Sequence, residues 1–117
     1  MGWIRWGSAL MALGVALGAF GAHGLSGRLS PASLAVYQTA VFYHLVHALG
    51  LLAVGILSLL RPQARLDGAG WLLVAGIALF SGSLYLLSVT GLKKLGMITP
   101  IGGLALLAAW IVLFAKS

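Results

Sequence analysis

The sequence has no cysteine and only one acidic residue, Asp67, against seven lysines and arginines. The missing cysteines exclude disulfide bonds and thiolate metal sites. The single acid excludes acid–base catalysis by a pair of carboxylates. Charged residues make up only 7% of the chain, whereas soluble domains contain about 25%. Because so few charges cannot cover a globular surface in water, the composition indicates a membrane protein.

Long uncharged runs occupy most of the 117 residues. A helix rises about 1.5 Å per residue and the hydrocarbon core is about 30 Å thick, so roughly 20 apolar residues span it. We predict one all-α domain over residues 1–117, an integral membrane bundle of four transmembrane helices near residues 3–22, 33–60, 69–90 and 97–115. Membrane β-barrels need alternating segments of about 10 residues, which these runs do not provide. A cleavable signal peptide is the alternative for the first run, because Arg5 precedes its apolar stretch.

The basic residues predict an orientation and a set of partners. With four spans, both termini lie on the same side of the membrane. That side carries four basic residues, Arg5, Arg61, Arg65 and Lys116. The other side carries three, Arg28, Lys93 and Lys94. By the positive-inside rule, we predict a bacterial cell membrane protein with both termini in the cytoplasm. The net charge of +6 is spread over both ends, so anionic lipid headgroups are the expected partners and nucleic acid is not.

Small residues follow the helical repeat in three of the runs. Because lipid tails are as apolar as leucine, transmembrane helices associate through close backbone approach and hydrogen bonds. We predict helix packing at seven small residues: Gly14, Gly18, Gly21, Gly76, Ser83, Gly102 and Gly103. Gly14 and Gly18 form a GxxxG pair, which leaves homodimerisation as the alternative to packing within the chain.

The second helix carries a polar arc. At 100° per residue, five of its polar side chains lie within about 160° of one another, and they are Tyr37, Thr39, Tyr43, His44 and His47. We predict that this arc faces protein rather than lipid. Ser81 and Tyr85 share a face of the third helix and come level with the histidines when the two helices run antiparallel. We therefore expect Ser81 or Tyr85 within hydrogen-bonding reach of His44 or His47.

Two interpretations of this cluster stay open. Neutral histidine and tyrosine side chains satisfy each other in ordinary structural packing, at about 1 kcal/mol per membrane hydrogen bond. Ionisable residues inside a membrane are also often functional, which gives a candidate ligand or proton site of His23, Tyr43, His44, His47, Ser81 and Tyr85.

The sequence gives less support to a metal site, a haem site or an enzyme active site at this cluster. His44 and His47 are spaced to share one zinc ion with His23 as a third ligand, but no carboxylate lies near them. Two histidines one turn apart cannot be opposite axial ligands of one haem, and no serine lies in a nucleophile elbow. We predict no metal, no cofactor and no catalytic residue.

Several stretches resemble one known family. They are Gly18-Ala19-Phe20-Gly21-Ala22-His23-Gly24, Tyr37-Gln38-Thr39-Ala40, Tyr43-His44, His47-Ala48-Leu49-Gly50, Leu79-Phe80-Ser81-Gly82-Ser83-Leu84-Tyr85 and Ile98-Thr99-Pro100-Ile101-Gly102-Gly103. They are similar to the small membrane family called domain of unknown function 423. The resemblance covers nearly the whole chain and implies an integral membrane protein of about four helices, without an activity or a substrate.

These observations lead to two functional expectations. The first is a non-enzymatic structural or accessory membrane protein with a His/Tyr/Ser polar core, acting as a homo-oligomer or with a membrane-protein partner. The alternative is a small oligomeric transporter, or a proton or solute pathway through His44 and His47. A hydrated cavity that reaches the histidines is the feature that separates them.

Overall fold

The structure, a computed structural model that describes residues 2–117, is built from four long helices. We number them α1 (Trp3–Leu25), α2 (Pro31–Leu60), α3 (Asp67–Thr90) and α4 (Thr99–Lys116), with a short 3-10 turn over Lys93–Met97 before α4. Each span is long and apolar enough to cross a membrane, and no strand forms in the described part of the chain. The predicted fold class, an all-α bundle of four membrane-spanning helices, is confirmed.

The helix ends differ by a few residues from the predicted ones. The first helix continues to Leu25 because Gly21–Leu25 forms a π-helical turn instead of a break. The second begins at Pro31, where the fixed backbone of proline suits the first turn and the Ser30 hydroxyl accepts a hydrogen bond from the Ser33 amide at 3.1 Å. The third ends at Thr90 and is capped by Gly91, whose φ of +73° is easily reached only by glycine.

The helices pack in chain order, α1 on α2, α2 on α3 and α3 on α4. The resulting bundle is flattened, with Cα extents of 49 × 26 × 17 Å. In the most apolar stretch of each span, 44% of the residues are buried in α2 and 33% in α3, against 17% in the first and fourth spans. The second and third helices therefore form the centre, and the other two present most of their surface outward.

The glycines of α1 lie against α2. A Cβ atom built on Gly14 would lie 2.6 Å from the Leu45 side chain, and one on Gly18 would lie 3.2 Å from Val41. A Cβ on Gly21 would overlap the ring of Tyr37. The GxxxG pair thus serves packing within the chain, so a homo-oligomer has to use another surface.

Small residues also allow α3 and α4 to approach closely. A Cβ on Gly76 would overlap Leu106, and one on Gly102 would overlap the backbone of Phe80. The Ser83 and Thr99 hydroxyls share a hydrogen bond of 2.6 Å. Gly103 is looser: a Cβ there would lie 3.6 Å from the Phe80 ring, an ordinary contact.

The largest apolar core lies toward the end of the bundle that carries both termini. Trp3 is fully buried there, and its indole Nε1–H donates to Asp67 Oδ1 at 2.7 Å. A Cβ on Gly70 would lie 2.5 Å from the Trp3 ring, so glycine is what makes room for this indole. Lys116 Nζ donates to the Arg65 carbonyl at 2.9 Å. These contacts join the two termini to the α2–α3 loop at one end of the bundle.

Candidate functional site

The polar arc of α2 divides between protein and membrane. Tyr37, His44 and His47 are buried, as predicted. Thr39 is exposed and donates to the Ala35 carbonyl of its own helix at 3.0 Å, and Tyr43 is 38% exposed. The prediction that the whole arc faces protein is therefore wrong at Thr39 and holds in part at Tyr43, whose ring centroid lies 4.6 Å from that of Phe80 in α3. Thr39 lies at the edge of the polar arc, and a threonine hydroxyl satisfies itself on its own helix.

His44 joins three helices. Its Nε2 lies 2.8 Å from the Leu10 carbonyl of α1, and its Nδ1 lies 2.8 Å from the Tyr85 hydroxyl of α3. Gly14, one turn after Leu10, makes room for the ring, since a Cβ there would lie 3.2 Å from the imidazole Cδ2. The expected contact between the facing polar surfaces of α2 and α3 is thus present. We call this arrangement of His44, Leu10 and Tyr85 the His44 clamp.

The partners of His44 assign its tautomer. A carbonyl oxygen only accepts, so Nε2 carries the hydrogen and donates to Leu10. In the neutral ring Nδ1 is then an acceptor, and the Tyr85 hydroxyl donates to it. Both nitrogens are satisfied within the protein, and the side chain is only 2% exposed. The clamp can hold helices together, but it offers no free lone pair to a ligand.

His47 has the opposite arrangement. Its Nδ1 lies 2.7 Å from the Tyr43 carbonyl one turn earlier in α2, so Nδ1 carries the hydrogen and Nε2 is the acceptor. In the part of the chain that the structure describes, Nε2 has no hydrogen-bond partner. The ring is stacked 5.9 Å from the Tyr43 ring and lies 5.7 Å from Trp110 of α4. It lines a groove of about 530 Å³ between α2, α3 and α4, which we call the His47 groove.

Ser81 and Tyr37 extend the polar contacts along α2. The buried Ser81 belongs to a π-helical turn of α3, Ile77–Ser81, and its Oγ donates to the Ala40 carbonyl at 2.8 Å. The Tyr37 hydroxyl donates to the Leu17 carbonyl of α1 at 2.5 Å. Most of these bonds end on backbone carbonyls, which are structural acceptors.

His23 lies outside the cluster. It is exposed within the π-helical turn at the end of α1. The glycine surface of α1 that faces α2 includes Gly21, and His23 follows two residues later, about 200° around the helix. The zinc arrangement with His23 as third ligand does not form. Over residues 2–117, no three His, Cys, Asp or Glu side chains come together in a way that could hold a metal ion.

The sequence does not predict three of the participants. Leu10 takes part through its backbone carbonyl, for which the only sequence signal is Gly14 one turn later. Tyr37 was placed on the arc, but its contact with α1 was not predicted. Trp110, which lines the His47 groove, has no polar pattern that would have assigned it to the site.

The chain is similar to known membrane proteins over most of its length. The family described as "Protein of unknown function (DUF423)" matches residues 17–103. The UPF0382 membrane protein YwdK of Bacillus subtilis is 52% identical over 107 residues, which cover 91% of this chain and 85% of that protein. A UPF0382 membrane protein of Staphylococcus haemolyticus is 46% identical over 111 residues, covering 95% and 90%. No solved structure matches the chain. The matched region includes both histidines of α2.

Proposed function

Since the chain belongs to the DUF423 family of membrane proteins, a family of unknown function, we propose from its geometry that it is a non-enzymatic structural or accessory membrane protein. The observation that carries the proposal is the His44 clamp, in which both ring nitrogens of a 2% exposed histidine are bonded within the chain. Because Nε2 already carries hydrogen, a further proton has to enter at Nδ1, in place of the hydrogen bond that Nδ1 accepts from Tyr85. The clamp holds α1, α2 and α3 in register.

The position of the only acid supports a role without catalysis. Asp67 accepts a hydrogen bond from Trp3 at the first turn of α3. Tyr85 lies 18 residues further along the same helix, a rise of about 27 Å. No carboxylate is therefore available to orient or tune the imidazoles of α2, as acid–base catalysis by histidine usually requires.

The substitution His44→Gln tests this proposal. The amide cannot reproduce both bonds of the planar ring, so we expect the free energy of unfolding to fall by about 1 kcal/mol. Thr39→Val is the matched control, because this hydroxyl is exposed and bonds only within its own helix; we expect no measurable change. Proteoliposomes with an internal pH-sensitive dye provide the second readout. Proton flux through the unmodified protein that His44→Gln abolishes would overturn the proposal in favour of a proton pathway.

An accessory role requires a partner. The first and fourth spans, each with 17% of its apolar stretch buried, leave surface for lipid and for a membrane-protein partner or a second copy of the chain. Native mass spectrometry from mild detergent tests this part of the proposal. We expect a complex with retained lipid, and a bare monomer under all mild conditions would contradict it.

We also propose that the protein lies in the bacterial cell membrane with both termini in the cytoplasm and its basic ends against anionic headgroups. The four basic residues on the terminal side support this orientation. Because the chain has no cysteine, single-cysteine variants report it without background. We expect a membrane-impermeant thiol reagent on intact cells to label Ser26→Cys, in the α1–α2 loop, and to leave Ser117→Cys unlabelled. The reverse pattern would invert the orientation.

A further inference from the structure

The His47 groove has the dimensions of a small-molecule site. Its volume of about 530 Å³ lies within the range of about 300–1,000 Å³ that is typical of ligand pockets. The lining is almost entirely apolar and includes the rings of Tyr43, Phe80 and Trp110. His47 contributes a hydrogen-bond acceptor, Nε2, to this lining, and Tyr43 contributes a hydroxyl that no described residue bonds.

The depth of the groove restricts its occupant. His47 lies 16 residues after Pro31 and 13 before Leu60, which is about 24 Å and 20 Å from the two ends of α2. It is therefore near the middle of the membrane. Leu104 and Leu107 line the groove and are mostly exposed, so the groove opens sideways into lipid. Because charge is expensive at this depth, the occupant has to be neutral and dissolved in the membrane.

The hydrogen bonding of His47 restricts it further. Since Nδ1 donates to the Tyr43 carbonyl, Nε2 presents a lone pair, and the side chain is only 6% exposed. At the surface of an apolar groove in the membrane this nitrogen has no water to bond, so a fitting ligand brings a hydrogen-bond donor. The aromatic walls favour a planar ring, which gains from offset or edge-to-face contact with them.

We propose that the His47 groove binds a neutral, membrane-dissolved phenol or hydroquinone with an apolar tail. Its hydroxyl donates to His47 Nε2, its ring packs among the aromatic walls, and its tail leaves past Leu104 and Leu107 into the lipid. This binding site goes beyond the structural role of the His44 clamp and does not depend on it.

Two probes that differ only in oxidation state test whether the ligand hydroxyl is needed for binding. Decylubiquinol carries hydroxyl donors, whereas decylubiquinone has the same tail with carbonyl acceptors in their place. The protein is labelled with ¹⁵N-histidine and placed in lipid nanodiscs. Each probe is then titrated in, and the ¹⁵N NMR resonance of His47 Nε2 is followed. We expect that resonance to shift with the quinol, and the quinol to bind about tenfold more tightly than the quinone, as one hydrogen bond implies. Equal affinities, or a shift at His44 instead, would overturn the proposal.

Two variants test the groove itself. His47→Phe keeps a flat ring and removes the acceptor, so the preference for the quinol should disappear. Gly103→Leu should abolish binding by filling the groove, and its Cβ makes only an ordinary contact with Phe80. The matched control is Gly82→Leu, which fills the separate groove between α1 and α3, where a Cβ meets open space.

Far-UV circular dichroism first verifies that each variant is folded. If His47→Phe does not fold, the two glycine variants still decide the question. Undiminished binding to Gly103→Leu, or equal losses in Gly103→Leu and Gly82→Leu, would show that the quinol does not occupy the His47 groove.

Discussion

Replacing Tyr85 by phenylalanine removes one hydroxyl from the middle of the bundle. That hydroxyl lies 2.8 Å from His44 Nδ1. Because the opposite nitrogen is held by the Leu10 carbonyl at 2.8 Å, the ring cannot turn to find another partner without breaking a second bond. Tyr85→Phe therefore leaves a buried acceptor unpaired while it preserves the aromatic ring and its packing.

The size of the effect follows from two estimates. Hydrogen bonds between membrane helices contribute about 0.6 kcal/mol on average and up to about 2 kcal/mol. Leaving a buried acceptor unsatisfied costs about 1–3 kcal/mol. Since His44 is only 2% exposed, water does not replace the lost partner. We expect Tyr85→Phe to lower the free energy of unfolding by about 1–2 kcal/mol.

Reversible unfolding in mixed micelles of mild detergent and dodecyl sulfate, followed by far-UV circular dichroism, measures this loss. Tyr43→Phe is the matched control, because no described residue bonds its hydroxyl and the side chain is 38% exposed; we expect a change below about 0.5 kcal/mol. A double-mutant cycle with His44→Phe should give a coupling energy of about 1 kcal/mol. Equal effects of the two tyrosine substitutions, or no coupling, would refute the clamp.

Three further predictions use the same preparations. Gly102→Ala should destabilise the protein by about 1–3 kcal/mol because the new methyl group meets α3 backbone rather than a mobile side chain. The control Gly82→Ala, where a Cβ meets open space, should be neutral in the same unfolding titration. Trp3→Phe should cost about 1–3 kcal/mol because it shrinks a fully buried ring and removes its hydrogen bond to Asp67; full stability would show that neither the packing nor the bond contributes. Histidine ¹⁵N shifts at neutral pH should assign hydrogen to Nε2 of His44 and to Nδ1 of His47, and the same tautomer at both would contradict the site geometry.

The fold was largely predictable because charge and helix length are strong signals in a membrane. It was also predictable that His44 and Tyr85 lie at the same depth in the bundle. Their depths follow from the helical rise and from the antiparallel pairing of α2 and α3. The end of α1 was not, because Gly21 and Gly24 suggest a break, whereas the chain continues through them as a π-helical turn. The same holds for Ile77–Ser81, whose apolar sequence contains nothing that marks a π turn.

The candidate site was less predictable for a different reason. A helical wheel gives the direction of a side chain but not which neighbour covers that direction. It therefore placed Thr39 together with His44, although Thr39 is exposed and His44 is buried. The sequence also could not identify the Leu10 carbonyl as the acceptor, because every residue has a backbone carbonyl. The only sign of it in the sequence is Gly14, one turn after Leu10. The chain has 17 glycines, and the sequence does not show which of them makes room for a side chain of another helix.

We propose different roles for the two histidines of α2 because they donate to different carbonyls. His47 donates to the carbonyl of Tyr43 in its own helix, which directs the other nitrogen away from that helix and leaves it available. His44 donates across to α1 and accepts from α3, so both of its nitrogens are committed to holding helices. Substitutions at His44 should therefore change stability and leave quinol binding intact in the fraction that folds. Substitutions at His47 should remove the binding preference at little cost in stability. If both positions changed both properties together, the polar residues of α2 would form one coupled site, and the separation of clamp from groove would be wrong.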